Sequence, residues 1–304
     1  MSAPGPAYEL PAELVIDTAV ARRIAVDFIR GQLRQAGFER LVLGLSGGID
    51  SALVAYLAAE AVGPQRLLCA LLPYRTSAPA SRADAESVVA ALGCPSRLIE
   101  ISPLVDAYYG ASEAGVAAEV GALGPEGREA TPRRRGNLMA RVRMAILYDL
   151  SAAWNALVVG TGNKTEALIG YTTIYGDNAC AFNPIGDLYK TQVRQLAEAM
   201  GVPEGIIRKA PSADLWPGQT DEAEVGFEYA DVDRLLFWLV DRRRSEDELL
   251  ALGFDTVTIE RVTGMVAAAE FKRQVPPVAK MSSRTTGVDY LYPRRRPGSA
   301  RPPG

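Results

Sequence analysis

Residues 41–60 read LVLGLSGGIDSALVAYLAAE. An aliphatic run suited to a strand buried on both faces stops at Ser46, Gly47 and Gly48, and a helix-forming stretch starts after Asp50 and Ser51. A buried strand running through a glycine turn straight into a helix is the opening half of a β-α-β unit, so the chain is committed to a parallel sheet with helices packed on it. Such a turn also makes an anion site. The glycines allow close backbone approach, the amides point outward, and the helix dipole favours negative charge. The plainer alternative is a tight turn in which Asp50 or Ser51 caps the helix.

The rest of the chain continues the pattern. An amphipathic helix is expected over 16–37, with Ile24, Val26, Phe28, Ile29 and Leu33 on its apolar face. Buried strands are read at 39–45, 67–72, 97–101 and 156–160, and helices at 51–61, 82–92 and 137–153, with further helix over 231–270. The expected fold is α/β: a Rossmann-like doubly wound parallel sheet of about five strands with helices on both faces. One domain is expected over 16–280, after a flexible segment 1–15 and before a partly disordered Pro- and Arg-rich tail, 281–304. Residues 110–136 read as a mobile stretch with a short helix as an option within it, and 209–228, with its prolines and clustered acids, as an active-site lid.

Composition then removes whole classes of function. The chain has no histidine, so Ser-His-Asp triads, Cys-His pairs and histidine metal sites are excluded. Its three cysteines lack metal spacing, and Cys69 and Cys94 read as packing residues. A net charge of −3 gives no electrostatic case for nucleic acid. No apolar run reaches the length of a membrane span, and the first residues lack signal-peptide character, so a cytoplasmic protein is expected. Chemistry is left to lysine, arginine, carboxylates, hydroxyls, amides and a bound cation.

The turn lacks the Gly-Lys-Ser/Thr of a Walker A loop and the spacing of a dinucleotide fingerprint. Ser-Gly-Gly-x-Asp-Ser instead adds two hydroxyls and one carboxylate. A carboxylate facing phosphates is repulsive unless a cation lies between them, so Asp50 predicts Mg²⁺. Lys190 opens the helical stretch TQVRQLAEAMG, where a cation opposes the helix dipole, and therefore calls for an anionic partner. On the surface, Asp187 would serve as that partner.

Taken together, SGGIDS after a buried strand resembles the pyrophosphate loop of the ATP-pyrophosphatase superfamily. Downstream, NLMARVRMAILYDLS (137–151), GTGNKTE (160–166), YGDNACAFNPIGDLYKTQVRQLA (175–197), PSADLWPGQTDEAEVGFEYADVD (211–233) and FKRQVPP (271–277) resemble ammonia-dependent NAD synthetases in order and spacing. The resemblance implies a homodimer that amidates a carboxylate through an acyl-adenylate, with nicotinic acid adenine dinucleotide as the expected acid. No glutaminase domain is legible, so free ammonia is the expected nitrogen source.

The resemblance also implies roles for residues. Gly44, Leu45, Ser46, Gly47, Gly48, Ile49, Asp50 and Ser51 would hold ATP, and Asp50 and Glu166 would bind Mg²⁺. Thr161 and Ser212 would contact ATP, and Lys190 would stabilise charge during adenylation. Arg141 and Lys272 would meet the acid substrate, Arg141 near the dimer interface. Glu166 otherwise reads as a first-turn helix carboxylate, and Arg141 as the partner of Asp149. Among the lid acids Asp214, Asp221, Glu222 and Glu224, Asp221 is the candidate catalytic residue; the alternative is that all four are solvated. Arg75 and Ser77, just past the second strand, border the expected adenine pocket. Where the family commonly grips the acid with polar groups, this chain has Ile174, Ala181 and Phe271. That opens the alternative of a relative amidating another carboxylic acid in specialised metabolism.

Overall fold

Four short parallel strands form the sheet, in the order β3-β2-β1-β4. The computed structural model describes residues 11–115 (backbone only for 111–115), 131–212, 214, 226–286, 288 and 289. Chain order runs α1 (Thr18–Ala36), β1 (Arg40–Gly44), α2 (Ile49–Val62), β2 (Leu67–Leu71), α3 (Pro79–Leu92), β3 (Ser96–Leu98), α4 (Ser102–Gly115), α5 (Pro132–Trp154) and β4 (Ala156–Val159). The later elements are all helical: α6 (Lys164–Ile169), α7 (Lys190–Ala199), α8 (Glu204–Ile207), α9 (Tyr229–Leu236), α10 (Glu246–Ala251) and α11 (Thr256–Ala268). These elements belong to one compact unit, Met1–Lys272. In the second unit, Arg273–Gly304, Lys280 pairs with Asp289 at 2.6 Å.

Side-chain alternation along the strands builds the two layers. Leu41 and Leu43 of β1 face a core with α1, α2 and α7, while Val42 between them faces a second core with α4 and α5. A third cluster gathers α6, α9, α10 and α11 around Ile169, Tyr189 and Leu235. The register pairs Leu43 with Cys69 on one side and Val159 on the other, which aligns the C-terminal strand ends along one edge. Cys69 and Cys94 are buried with their sulfurs 3.5 Å apart, as expected of packing residues.

The position of the fifth strand is reduced to a single parallel bridge, Val159 to Phe182. Two residues on, Pro184 has no N–H to extend the ladder. Other differences from the sequence reading have equally local causes. Ile24 is on the outer side of α1, two residues off the buried stripe of Val26, Ile29 and Leu33, while Phe28 borders that stripe with its ring edge-on to Phe182 at 5.9 Å. The expected loop 110–136 is helical at both ends: α4 runs to Gly115 and α5 starts at Pro132. Thr131 caps α5, accepting from the Arg134 amide at 3.3 Å, and Pro132 is preset for the first helical position. The helix read over 231–270 is divided, with Arg243 at φ 51° and Gly253 at φ 91° at the breaks. Among the described residues no helix is long and apolar enough to cross a membrane.

Candidate active site

The glycine turn joins β1 to α2 and is braced from inside. Ser51 Oγ donates to the Gly48 carbonyl at 3.0 Å and accepts from the Ser46 amide at 3.2 Å. Ser46 Oγ accepts from the Gly48 amide at 3.2 Å. The cap position of α2 is Gly48, which has no side chain, so neither Asp50 nor Ser51 is the cap. Gly47 has a φ of 83°, and a Cβ there would lie 2.0 Å from the Ser81 carbonyl oxygen of α3. Only glycine meets both demands, positive φ and contact with a neighbouring backbone.

Asp50, Glu166 and Lys190 come from three elements and converge. Lys190 Nζ is 2.5 Å from Asp50 Oδ2 and 3.2 Å from Glu166 Oε1, and its side chain is only 7% exposed. Asp50 Oδ1 accepts from Asn163 Nδ2 at 2.9 Å. Asn163 also caps α6, accepting from the Glu166 amide at 3.0 Å while Glu166 Oε2 accepts from the Asn163 amide at 3.3 Å. Burial pushes the Glu166 carboxyl up to about 7; Lys190 pulls it down and Asp50 adds to the push. Asp187 pairs with Lys164 at 3.2 Å, so the surface alternative for Lys190 is not adopted. Glu166 is indeed a first-turn helix carboxylate, and it uses its second oxygen to face the lysine.

A cavity of about 1190 Å³ opens over the strand ends. Gly44, Leu45, Ser46, Gly48, Ile49, Asp50, Thr161, Glu166, Lys190, Ser212 and Lys272 line it, as do Arg75 and Ser77. Gly47 and Ser51 do not, because they shape the turn from behind. Arg75 pairs with Asp106 at 2.6 Å and Ser77 Oγ accepts from the Tyr74 amide at 3.3 Å. Asp214 docks on α3, accepting from the Ala78 amide at 3.0 Å. Asp221, Glu222 and Glu224 lie outside the described residues.

Arg141 is exposed, does not line the cavity, and donates to the Ile174 carbonyl at 3.3 Å. Ile174, Ala181 and Phe271 do not line it either. Asn137, Arg143 and Asp177 also line the cavity, as does Lys272. Lys272 Nζ donates to the carbonyls of Gly170 and Thr172 at 2.7 and 2.8 Å. Burial lowers the Arg143 pKa, while Asp177, exposed at the surface of the cavity, accepts from the Thr173 amide at 2.8 Å. Sequence reasoning missed Asn137, Arg143, Asp177 and Asn163. Arg143 had a readable signal: it follows buried Met139 and Ala140 at i+4 and i+3, on the inward stripe of α5, whereas Arg141, one residue after Ala140, is turned off that stripe and exposed.

Residues 21–276 match the NAD synthase family as a whole. The chain belongs to the NAD synthase family. An NH(3)-dependent NAD(+) synthetase of Trichlorobacter lovleyi is 48% identical to it, over 93% of this chain and 98% of the relative. Two solved structures are close in fold. NH3-dependent NAD synthetase from Campylobacter jejuni, in complex with the nitrate ion, is 34% identical, with a TM-score of 0.71 over 88% of this chain and 100% of its own. NMN synthetase from Francisella tularensis is 28% identical, with a TM-score of 0.75 over 88% and 100%. The NAD synthase fold therefore accounts for the sheet, the glycine turn and the cavity together.

Proposed function

We propose that the protein makes NAD from nicotinic acid adenine dinucleotide, ammonia and ATP, releasing AMP and pyrophosphate. The observation that carries this reading is 48% identity to an NH(3)-dependent NAD(+) synthetase over nearly the full length of both chains. The site chemistry agrees with it. The α2 N-terminus and its glycine turn suit phosphates, and Lys190 is held in the same cavity by two carboxylates. A carboxylate oxygen of the acid attacks the α-phosphorus of ATP, and the bond to the bridging oxygen breaks, leaving pyrophosphate. Lys190 offsets the charge that builds on the phosphates. Ammonia then attacks the acyl carbon, loses a proton, and AMP leaves with the oxygen that had attacked. Positioning and charge neutralisation supply most of the rate, which needs no histidine.

The donor set fits Mg²⁺. Asp50 and Glu166 offer hard carboxylate oxygens side by side, both in contact with the Lys190 ammonium, and Mg²⁺ is commonly held by one or two carboxylates plus substrate phosphates. When bound there, the ion would neutralise charge on the departing pyrophosphate. Thr161 and Ser212 belong to the ATP side of this reading, and Arg143, Asp177 and Lys272 to the acid side. Asp221 remains a candidate for the amidation step. The same reading takes the protein as a cytoplasmic homodimer, with exposed Arg141 and Tyr148 of α5 at the shared face.

The test is a panel of acids with ATP, Mg²⁺ and ammonium chloride, reading the amide product and AMP by mass spectrometry. Conversion of nicotinic acid adenine dinucleotide at the highest kcat/KM supports the reading. Preference for nicotinic acid mononucleotide, or for an acid without adenine, overturns it.

A further inference from the structure

Helix α7 starts with Lys190, and Gln192 Oε1 accepts from the Tyr189 amide at 3.0 Å, but no serine or aspartate caps its first amides. Tyr189 precedes it and gives no side-chain oxygen to the first amides, where a serine or aspartate would do so locally. The amides are met from other elements. The Lys190 amide donates to Thr165 Oγ1 of α6 at 3.0 Å. The Thr191 amide donates to Asp233 Oδ2 of α9 at 2.8 Å. Thr165 Oγ1 in turn donates to Asp233 Oδ1 at 2.5 Å, closing a chain from α7 through α6 to α9. Asp233 is fully buried, and the Lys190 charge acts on it.

A local cap would stabilise the end of α7 equally well and leave its position free. This one fixes position. Thr165 adjoins Glu166, and Thr191 adjoins Lys190, so one carboxylate binds the neighbours of both charged partners. One helical turn before Asp233, the Tyr229 ring approaches Lys190 Nζ, with its centroid 5.3 Å away. Burying a carboxylate this way is costly unless its hydrogen bonds are all made, and here they are spent on aligning the lysine.

We propose that Asp233 is a positioning residue for adenylation: through Thr165 and Thr191 it holds the Lys190 ammonium in register with Glu166 and Asp50. This rests on the adenylation role of Lys190 given above. The test measures kcat and the KM for ATP, per folded enzyme, in wild type, Thr165→Ser, Thr165→Val, Asp233→Asn and the Thr165→Val/Asp233→Asn double variant. The serine keeps the hydroxyl, and its kcat is expected within a factor of about 3 of wild type, whereas valine lowers kcat by about 100-fold, the loss typical of a ~1 Å misplacement. Asp233→Asn falls similarly, the double variant falls no further than the worse single one, and the KM for ATP changes little. Should Asp233→Asn not fold, the two Thr165 variants decide alone. A lower melting temperature with unchanged kcat in Thr165→Val, or losses confined to KM, overturns the proposal. An inactive wild type sinks the function and this proposal together, whereas an active wild type with normal variants sinks only the proposal.

Discussion

Lys190 shows how much one buried cation can organise. Its ammonium lies between two carboxylates, so Lys190→Met removes the side-chain cation that Asp50 and Glu166 both contact. We expect kcat to fall about 10²–10³-fold, the scale of losing one transition-state charge contact, with a smaller change in the KM for ATP. Lys190→Arg is expected not to rescue, because the planar guanidinium does not fit a compact ammonium site. Single-turnover AMP release separates these outcomes from loss of binding. The lysine was legible in the sequence because a cation at a helix start opposes the dipole. Its partners were not, because Asp50, Asn163 and Glu166 meet only through the fold. Asp233 makes a second prediction at this scale. Burial raises its pKa to about 6, so the folded chain holds the proton more tightly than the unfolded one. Its stabilising contribution is full below the ordinary carboxylate range and is lost as pH rises through about 6. Between pH 5 and 7 the wild type should lose on the order of 1 kcal/mol relative to Asp233→Asn. Urea melts of both proteins at the two pH values check this, and a constant difference contradicts it.

Among the elements, the β1–α2 connection was the most readable part of the chain, because strand, turn and helix each announced themselves. Its backbone strain was not readable, since that depends on α3 lying against it. Gly47→Ala would force a Cβ onto the Ser81 carbonyl and also requires a φ of 83°. We expect it to displace the turn and reduce ATP-dependent activity more than about 10-fold. Gly93→Ala provides the comparison: its φ is 65°, but a Cβ there meets nothing within 4 Å. That variant should lose about 1 kcal/mol of stability and keep its activity. Activity per folded enzyme, measured beside thermal melts, distinguishes the two glycines. The start of α5 was placed at 137 in the sequence because 133–135 fell in the stretch read as loop, although Thr131 and Pro132 carry a helix-start signal. The fifth strand shrank to a bridge for a reason also present in the sequence, the proline at 184.

The fold class of the whole molecule followed from alternating apolar strands and helices, and the parallel sheet covered on both faces agrees with it. The lining of the cavity was less legible. Three apolar residues at expected polar positions suggested a different substrate, yet none of them lines the cavity, whereas half-buried Arg143 and exposed Asp177 do. The homodimer reading predicts a light-scattering mass of twice the 32.6 kDa chain, and the chain mass alone would count against it. The chemistry itself is tested most directly by isotope transfer. With both carboxylate oxygens of nicotinic acid adenine dinucleotide labelled as ¹⁸O, attack on the α-phosphorus followed by amidation must leave one label in AMP and none in pyrophosphate. Mass spectrometry of the products should find that single label in AMP; unlabelled AMP, or label in pyrophosphate or free phosphate, would contradict the account.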